Sequence, residues 1–401
     1  MEKSMSRDIE NISSIKKIIF FILFLLYSFL PGIYKILGNQ MIMLFSIPIV
    51  LILLYLTRKS YKPLKIDVVF IIFFCYVILQ SILWMCSPWV NRIGILMGMY
   101  LNIFPMLGFF ISRGIEFKVF KSIILNIVLI HCILGIILYP FFRIVDAGSP
   151  LVKSLTEGVA YGRMSGISGS LIFGNLIMIG FIMSFFTKKM FLPLITFCLL
   201  FNAQRSAWLA AASSILIYLL YLLKNLRIKK ILTYTIFILV FVIIGISLIS
   251  NYINFDIDFM LSRLDSVGNA SSERQDQWVS GLKNFISYPL GTGVGQVGHV
   301  AARFEGASSI YNIVPDGDYF RILSEYGMIG GLFYMFVILS VFLSFIFIKK
   351  MDKIVVLALI TGYLIQMVGS NISEFYFTNF VYWFIFGYYF YFLNDNYKFK
   401  I

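Results

Sequence analysis

Apolar runs of roughly bilayer-spanning length recur along the chain and alternate with short polar stretches. A helix of about 20 apolar residues crosses the ~30 Å hydrocarbon core of a bilayer. In lipid, a helix also satisfies its own backbone hydrogen bonds. The pattern therefore predicts an all-α polytopic membrane protein with about twelve transmembrane helices, at residues 18–37, 41–56, 67–85, 93–111, 119–140, 166–186, 190–203, 207–223, 231–250, 322–348, 354–370 and 377–393.

The spacing of these runs divides the chain into five parts. We expect a cytoplasmic N-terminus at 1–17, transmembrane helices 1–9 within 18–250, and transmembrane helices 10–12 within 322–393, followed by a cytoplasmic C-terminus at 394–401. One long extracytoplasmic loop, 251–321, separates spans nine and ten. A loop of this length is unusual and is typical of a functional segment. The first run loosely resembles a signal sequence, but no small-residue cleavage site follows it, so we expect a retained helix.

Lysine and arginine are concentrated in alternate loops, such as TRKSYKPLK, SRGIEFKVFK and KNLRIKK. The positive-inside rule places these loops and both termini in the cytoplasm. The net charge of +14 is then an orientation signal, and no nucleic-acid partner is expected. With 60% hydrophobic and 13% charged residues, a soluble domain is excluded. The four cysteines lack metal-ligand spacing, and no cofactor or metal is expected.

The long loop contains two segments that predict short helices, SSERQDQWVSGLKNF and PDGDYFRILSEYG. Between them lies GTGVG at 291–295, which lacks the strand–turn–helix context of a nucleotide-binding turn. We expect these glycines to allow tight turns, or to let backbone N–H groups approach an anion.

Most cationic residues on the outer side are arginines, and four of them are candidates for binding a diphosphate: Arg205, Arg274, Arg163 and Arg321. The planar guanidinium binds phosphate in a bidentate way. Arg205 is the leading candidate because it lies in a turn between two short spans, at or slightly below the membrane surface, where an unpaired charge is costly. The alternative is that these arginines pair with outer acids or with lipid headgroups.

Three residues on the outer side are candidates for a general base. Asp316 opens the approach to span ten, Asp318 follows it, and His299 lies in GQVGHV. Two alternatives stay open: Asp316 caps a helix, and Asp318, Arg321 and Glu325 form a self-contained ion-paired stripe at helical spacing. The D-x-D spacing also occurs at metal–nucleotide sites, but no sugar nucleotide is expected outside the cell.

Three motifs resemble those of the O-antigen polymerase/O-antigen ligase superfamily of bacterial polysaccharide assembly. They are the Arg205–Ser206 pair that opens a span, ERQDQW followed by YPLGTGVG, and DGDYFRILSEYGMIGG entering span ten. The resemblance is best over residues 165 to 335, and the span layout extends it to the whole chain. The family commonly has a histidine where this chain has Asp316. This difference favours a polymerase over a ligase.

The resemblance implies a metal-independent, inverting glycosyltransferase of the bacterial inner (plasma) membrane. It would transfer a growing glycan from polyprenyl diphosphate to a lipid-linked repeat unit of O-antigen, capsule or exopolysaccharide, in lipopolysaccharide or related polysaccharide biosynthesis. The implied partners are undecaprenyl-type lipid-linked glycans, membrane lipids, and the chain-length regulator and flippase of the same pathway. Arg205 and Arg274 would bind the diphosphate, with Asp316 as base.

Two other functions remain open: an O-antigen ligase, and a lipid-linked oligosaccharide flippase or transporter. Transporters commonly have internal repeats and charges at the bilayer midplane. Neither feature is evident here, where charges collect beside the long loop.

Overall fold

The computed structural model describes residues 2–37, 40–58, 61, 63–88, 90, 92–144, 163–224, 267–298, 300, 317–347 and 351–396. Within these ranges the secondary structure consists of α-helices and short 3₁₀ turns. The helices are α1 Glu2–Leu37, α2 Ser46–Thr57, α3 Ile66–Met85, α4 Arg92–Met106, α5 Gly108–Ile111, α6 Phe117–Ile144, α7 Ser170–Phe186, α8 Leu192–Asn202, α9 Arg205–Lys224, α10 Val267–Ser287, α11 Asp318–Phe347, α12 Met351–Gln366 and α13 Tyr376–Asn396.

Six helices are long and apolar enough to cross a membrane by length and composition: Ile15–Leu37, Ile66–Met85, Arg92–Gly114, Phe117–Tyr139, Arg205–Leu223 and Asp318–Ser344. Three shorter apolar helices accompany them: Met41–Thr57, Ser170–Phe186 and Lys189–Asn202. The protein is therefore an α-helical, multi-pass membrane protein. Helices lie in eleven of the twelve predicted spans, while 231–250 is outside the described residues.

Two predicted boundaries differ from the structure. The helix of span ten begins at Asp318, four residues before the predicted start, so the predicted short helix and span ten form one element. That element is interrupted at Gly327, which has non-helical backbone angles of φ 65° and ψ −155°. Helix α8 has 11 residues, about 16 Å at 1.5 Å per residue, which is shorter than the bilayer core.

Contacts between helix termini show which termini lie at the same end of the bundle. At one end, the "Asp67 end", Arg113 pairs with Asp67 and Lys121 pairs with Asp352, each at 2.6 Å. These pairs join the starts of α3, α6 and α12 to the turn after α5. Described residues of two predicted basic loops, 63–65 and 112–121, lie here.

At the opposite end, the "Asp318 end", the start of α11 meets the end of α12, because the Asp318 N–H donates to the Met367 carbonyl over 2.8 Å. The side chain of Gln366, the last residue of α12, reaches Asn175 near the start of α7. Helices α7, α9, α11 and α13 therefore all begin at this end. Their N-terminal dipoles give it a positive potential.

Helix α13 forms the centre of the bundle. Its aromatic and apolar side chains are buried around its circumference, including Phe377, Phe380 and Phe384, which are fully buried. A helix that is apolar on every face belongs in the interior of a large assembly of helices. This central position fixes the connection before α13, which contributes to the site described below.

Candidate functional site

A fully buried ion pair network lies at the start of α11. Arg321 donates from Nε to Asp318 Oδ1 over 3.1 Å and from Nη1 to Glu325 Oε2. All three side chains are inaccessible to solvent. Arg321 Nη2 also contacts Ser373 Oγ and, at 3.5 Å, Asn102 Oδ1. Hence the ion-paired stripe that the helical spacing allowed is formed, and it links α11 to α4 and to the connection before α13.

The glycine-rich segment after α10 binds the carboxylate of Glu325. The N–H groups of Gly295 and Val297 donate to Glu325 Oε1 over 2.7 and 3.3 Å. Gly295 has φ +78°, and a Cβ there would lie 2.2 Å from the Gly94 carbonyl oxygen of α4. Only glycine fits this backbone conformation and this close approach. The anion that these N–H groups approach is thus a side chain of the protein itself.

The same segment also satisfies the backbone freed by the break in α11. The N–H of Gly293 donates to the Glu325 carbonyl over 3.1 Å, and the N–H of Met328 donates to the Pro289 carbonyl over 2.8 Å. A Cβ at Gly327 would lie 2.3 Å from the backbone of Leu290. A break in a helix is stable at membrane depth only where another segment satisfies its backbone groups.

The connection between α12 and α13 holds both flanks of the segment 301–316. Asn371 Oδ1 accepts a hydrogen bond from the Gly317 N–H at 3.0 Å, and Glu374 Oε1 accepts one from the Val300 N–H at 3.2 Å. Ser373 adds an N–H and a hydroxyl donor to Asp318, at 2.8 and 2.5 Å. Side chains of one short connection therefore hold Val300, after the glycine-rich segment, and Gly317, at the start of α11.

Arg205 begins α9 immediately after a tight turn. Ala203 adopts a left-handed conformation, φ 54° and ψ 27°, which reverses the chain between α8 and α9. The N–H of Met164 donates to the Phe201 carbonyl over 3.0 Å, and Asn202 Nδ2 donates to the Met164 carbonyl over 2.8 Å. The backbone beside Arg163 is thereby fastened to the turn that carries Arg205.

A cluster of buried side-chain amides connects this turn to the neighbouring helices. Asn175 Oδ1 accepts hydrogen bonds from Gln204 Nε2 at 3.0 Å and from Gln366 Nε2 at 2.5 Å. A Cβ at Gly174 would lie about 2 Å from the side-chain oxygens of Gln204 and Asn202, so the absence of a side chain there makes room for both amides. These interactions fix the turn relative to α7 and α12.

The predicted site residues fall into three groups. The backbone next to Arg163 is hydrogen-bonded to the turn before Arg205 at the Asp318 end; Arg205 is half-buried and Arg163 is buried. Asp318 and Arg321 are buried in the ion pair network and face no solvent. His299 and Asp316 lie outside the described residues, and Arg274 lies within α10 but its side chain lies outside the described atoms.

Sequence reasoning did not identify the amides Asn175, Asn202, Gln204 and Gln366, or the acceptors Asn371 and Glu374 as parts of the site. The amides could have been found, because they are polar residues within or beside apolar runs. Such side chains are costly to bury unless they are hydrogen-bonded. No comparable signal marked Asn371 and Glu374, since their partners are more than 50 residues away along the chain.

The described part of the chain contains no group of three His, Cys, Asp or Glu side chains that could hold a metal ion. Its Asp318 end instead combines helix N-termini, a half-buried arginine and buried hydrogen-bonding side chains. Helix N-termini and a guanidinium group are features that can bind an anion.

Comparison with protein families gives one match. A family model described as O-antigen ligase matches residues 190–335. That stretch begins just before α8, includes Arg205, α10 and the glycine-rich segment, and ends within α11. A search of curated proteins found no relative that matches the chain. Residues 190–335 are thus similar to the O-antigen ligase family, which confirms the predicted resemblance to the O-antigen polymerase/O-antigen ligase superfamily.

Proposed function

We propose that this protein is a polysaccharide polymerase that acts on polyprenyl-diphosphate-linked glycans at the outer face of the bacterial inner or plasma membrane. It transfers the growing glycan from its lipid carrier to a lipid-linked repeat unit. The family match supports lipid-linked glycans as substrates. The difference at residue 316, aspartate in place of the family's common histidine, favours a polymerase over a ligase.

The observation that carries the proposal is the arrangement of Arg163 and Arg205. The hydrogen bonds of Met164 to Phe201 and Asn202 fasten the chain beside Arg163 to the turn that presents Arg205. The N-terminal dipole of α9 acts at the same place and also favours an anion. Two guanidinium groups and a helix N-terminus match the charge of a diphosphate leaving group.

In the proposed reaction, a hydroxyl oxygen of the acceptor sugar attacks the anomeric carbon of the donor. The bond between that carbon and the diphosphate oxygen breaks, and polyprenyl diphosphate leaves with the bonding electron pair. Asp316 takes the hydroxyl proton, with His299 as the alternative base. A single displacement inverts the anomeric centre. Negative charge grows on the diphosphate as it leaves, so Arg205, Arg163 and Arg274 bind the transition state more strongly than the ground state.

Asp318 and Arg321 have a different role in this proposal. Their charged atoms are occupied by each other, by Glu325 and by Ser373, and they are buried. They hold the start of α11 in place, close to the point where Asp316 precedes it in the chain. They are therefore positioning residues and make no contact with substrate.

The experiment compares Arg205→Ala with Arg58→Ala in a strain that lacks the chromosomal gene. Arg58 lies at the Asp67 end, over the Tyr55 ring at 4.0 Å, and its loss should leave the polymer unchanged. The Arg205 variant should reach the membrane at normal abundance and display single repeat units instead of long polymer. Removing one donor to a developing charge lowers a rate by about 100- to 1000-fold. Polymer of normal length in this variant would refute the proposal.

The ligase alternative is distinguished by the glycan of the deletion strain itself. A polymerase deletion leaves single repeat units attached at the cell surface, whereas a ligase deletion leaves no repeat unit there. Accumulation of long lipid-linked polymer inside the envelope, with none on the surface, would identify a ligase.

A further inference from the structure

Helix α10 presents three different faces. Trp278, Gly281 and Asn284 face the bundle: the Trp278 ring stacks on Phe320 with centroids 5.2 Å apart, and Ser324 Oγ donates to the Gly281 carbonyl over 2.9 Å. Asn284 is buried. Two exposed faces remain on the same helix, and they differ in chemistry.

One exposed face is apolar and the other is polar. Val279, Leu282 and Ile286 lie within about 60° of one another at 3.6 residues per turn. All three are exposed, Ile286 to 73%. Beside them, and away from the bundle, Asp276 and Lys283 form an exposed polar face. A helix with an apolar ridge beside a polar face is typical of a helix that lies in a membrane interface.

The apolar ridge continues into the exposed apolar surface of α11. Leu290, three residues after the end of α10, is 64% exposed. The neighbouring Pro289 carbonyl accepts a hydrogen bond from the Met328 N–H at 2.8 Å. Met328 and Leu332 of α11 are exposed as well, on a helix long and apolar enough to span a membrane. The ridge and the lipid-facing surface of this candidate span therefore form one continuous apolar surface.

Aromatic side chains mark the level at which this surface meets water. Trp84, in the last turn of α3, packs edge-to-face on Tyr288 with centroids 5.9 Å apart, and its Nε1 donates to the Gly291 carbonyl over 3.0 Å. Tryptophan and tyrosine are enriched at the membrane–water interface. The C-terminal end of α10 thus lies at interfacial depth.

We propose that α10 is a membrane-interface helix whose ridge of Val279, Leu282 and Ile286, together with Leu290 just after the helix, is inserted among the acyl chains of the lipid leaflet at the Asp318 end. The polar face with Asp276 and Lys283 points to water. This inference goes beyond the proposed function. One consequence of it, for Arg274, does rest on the proposed function. Because Arg274 belongs to the same helix, α10 would hold this arginine at the depth of a lipid headgroup, where the diphosphate of a lipid carrier lies.

The test measures the depth of single nitroxide labels in the full-length protein reconstituted into phosphatidylglycerol/phosphatidylethanolamine vesicles. Exposed Cys75 and Cys86 are first replaced by serine. Labels are then placed singly at Val279→Cys and Ile286→Cys, with Asp276→Cys and Lys283→Cys as matched controls on the same helix. Collision rates with oxygen, which concentrates in lipid, are compared with those of a water-soluble nickel chelate.

We expect oxygen to exceed the nickel chelate in collision rate at 279 and 286, and the order to reverse at 276 and 283. Equal access of the nickel chelate at all four positions would place α10 in water and overturn the inference. A label at 286 that neither reagent reaches would mean that protein covers the ridge, which would overturn it as well. No substrate is needed, so the outcome is independent of whether the protein polymerises glycans.

Discussion

Replacing Arg321 with alanine removes the guanidinium that neutralises two buried carboxylates. Asp318 and Glu325 are both inaccessible to solvent, and each is bonded to Arg321. In the variant these carboxylates stay buried without their counter-charge. Breaking a buried ion pair by removing one partner costs about 3–5 kcal/mol. That is a large part of the roughly 5–15 kcal/mol that keeps a typical protein folded.

The assay is the temperature at which half of the detergent-solubilised protein stays monodisperse. Lys121→Ala is the matched control, because it also removes a cation 2.6 Å from a carboxylate, but its partner Asp352 is 62% exposed. An exposed pair contributes about 0–1 kcal/mol. We expect Arg321→Ala to aggregate at a clearly lower temperature than Lys121→Ala. Arg321→Lys should recover part of the loss because it restores the charge without the forked geometry.

The opposite result would change the role of Arg321. If Arg321→Ala is as stable as Lys121→Ala and nevertheless fails to extend glycan, the guanidinium acts on the substrate. The reasoning from burial would then be refuted, and Arg321 would return to the set of diphosphate-binding candidates. If the variant loses stability and activity together, the positioning role stands.

Three further substitutions test a close backbone contact, its control, and a buried ion pair. Gly98→Ala places a Cβ 2.6 Å from the Cα of Gly295, so we expect a loss of about 1–3 kcal/mol in the same thermal assay. Gly362→Ala, whose new Cβ meets only side-chain atoms, the nearest being the end of Ile182 at 3.1 Å, should change little. Asp67→Asn removes the carboxylate that pairs with the buried Arg113 guanidinium and should cost about 3 kcal/mol; wild-type thermal stability would contradict this.

The positions of the helices could be predicted from the sequence because a helix that crosses a bilayer needs about 20 consecutive apolar residues. Helix α10 was also predicted, from the segment SSERQDQWVSGLKNF, and it is longer than expected at Val267–Ser287. The break at Gly327 was not predicted. Its stability depends on hydrogen bonds with residues 289–293. These residues lie more than 30 positions earlier in the chain, so the local sequence pattern contains no signal for the break.

The glycine-rich segment illustrates what a local pattern determines and what it leaves open. Its glycines predicted backbone N–H groups near an anion, and Gly295 does donate to one. The pattern does not distinguish a substrate phosphate from a carboxylate of the protein. That choice depends on the position of Glu325, which the fold of α11 sets and which lies 30 residues away along the chain.

The arginines differ in a way that the local sequence does contain. Arg321 has acids three residues before and four residues after it, at spacings that meet on one helical face, and the structure pairs it with both. Neither Arg205 nor Arg163 has an acid within four residues on either side. A guanidinium with acids at helical spacing is neutralised within its own helix, whereas one without them depends on a distant group or a ligand for its counter-charge. By this criterion the spacing of charges along the chain is enough to separate Arg321 from Arg205 and Arg163. The hydrogen bonds that fasten Met164 to the turn before Arg205 hold the backbone beside Arg163 against that turn, and we therefore propose these two arginines, and not Arg321, as ligands of the diphosphate.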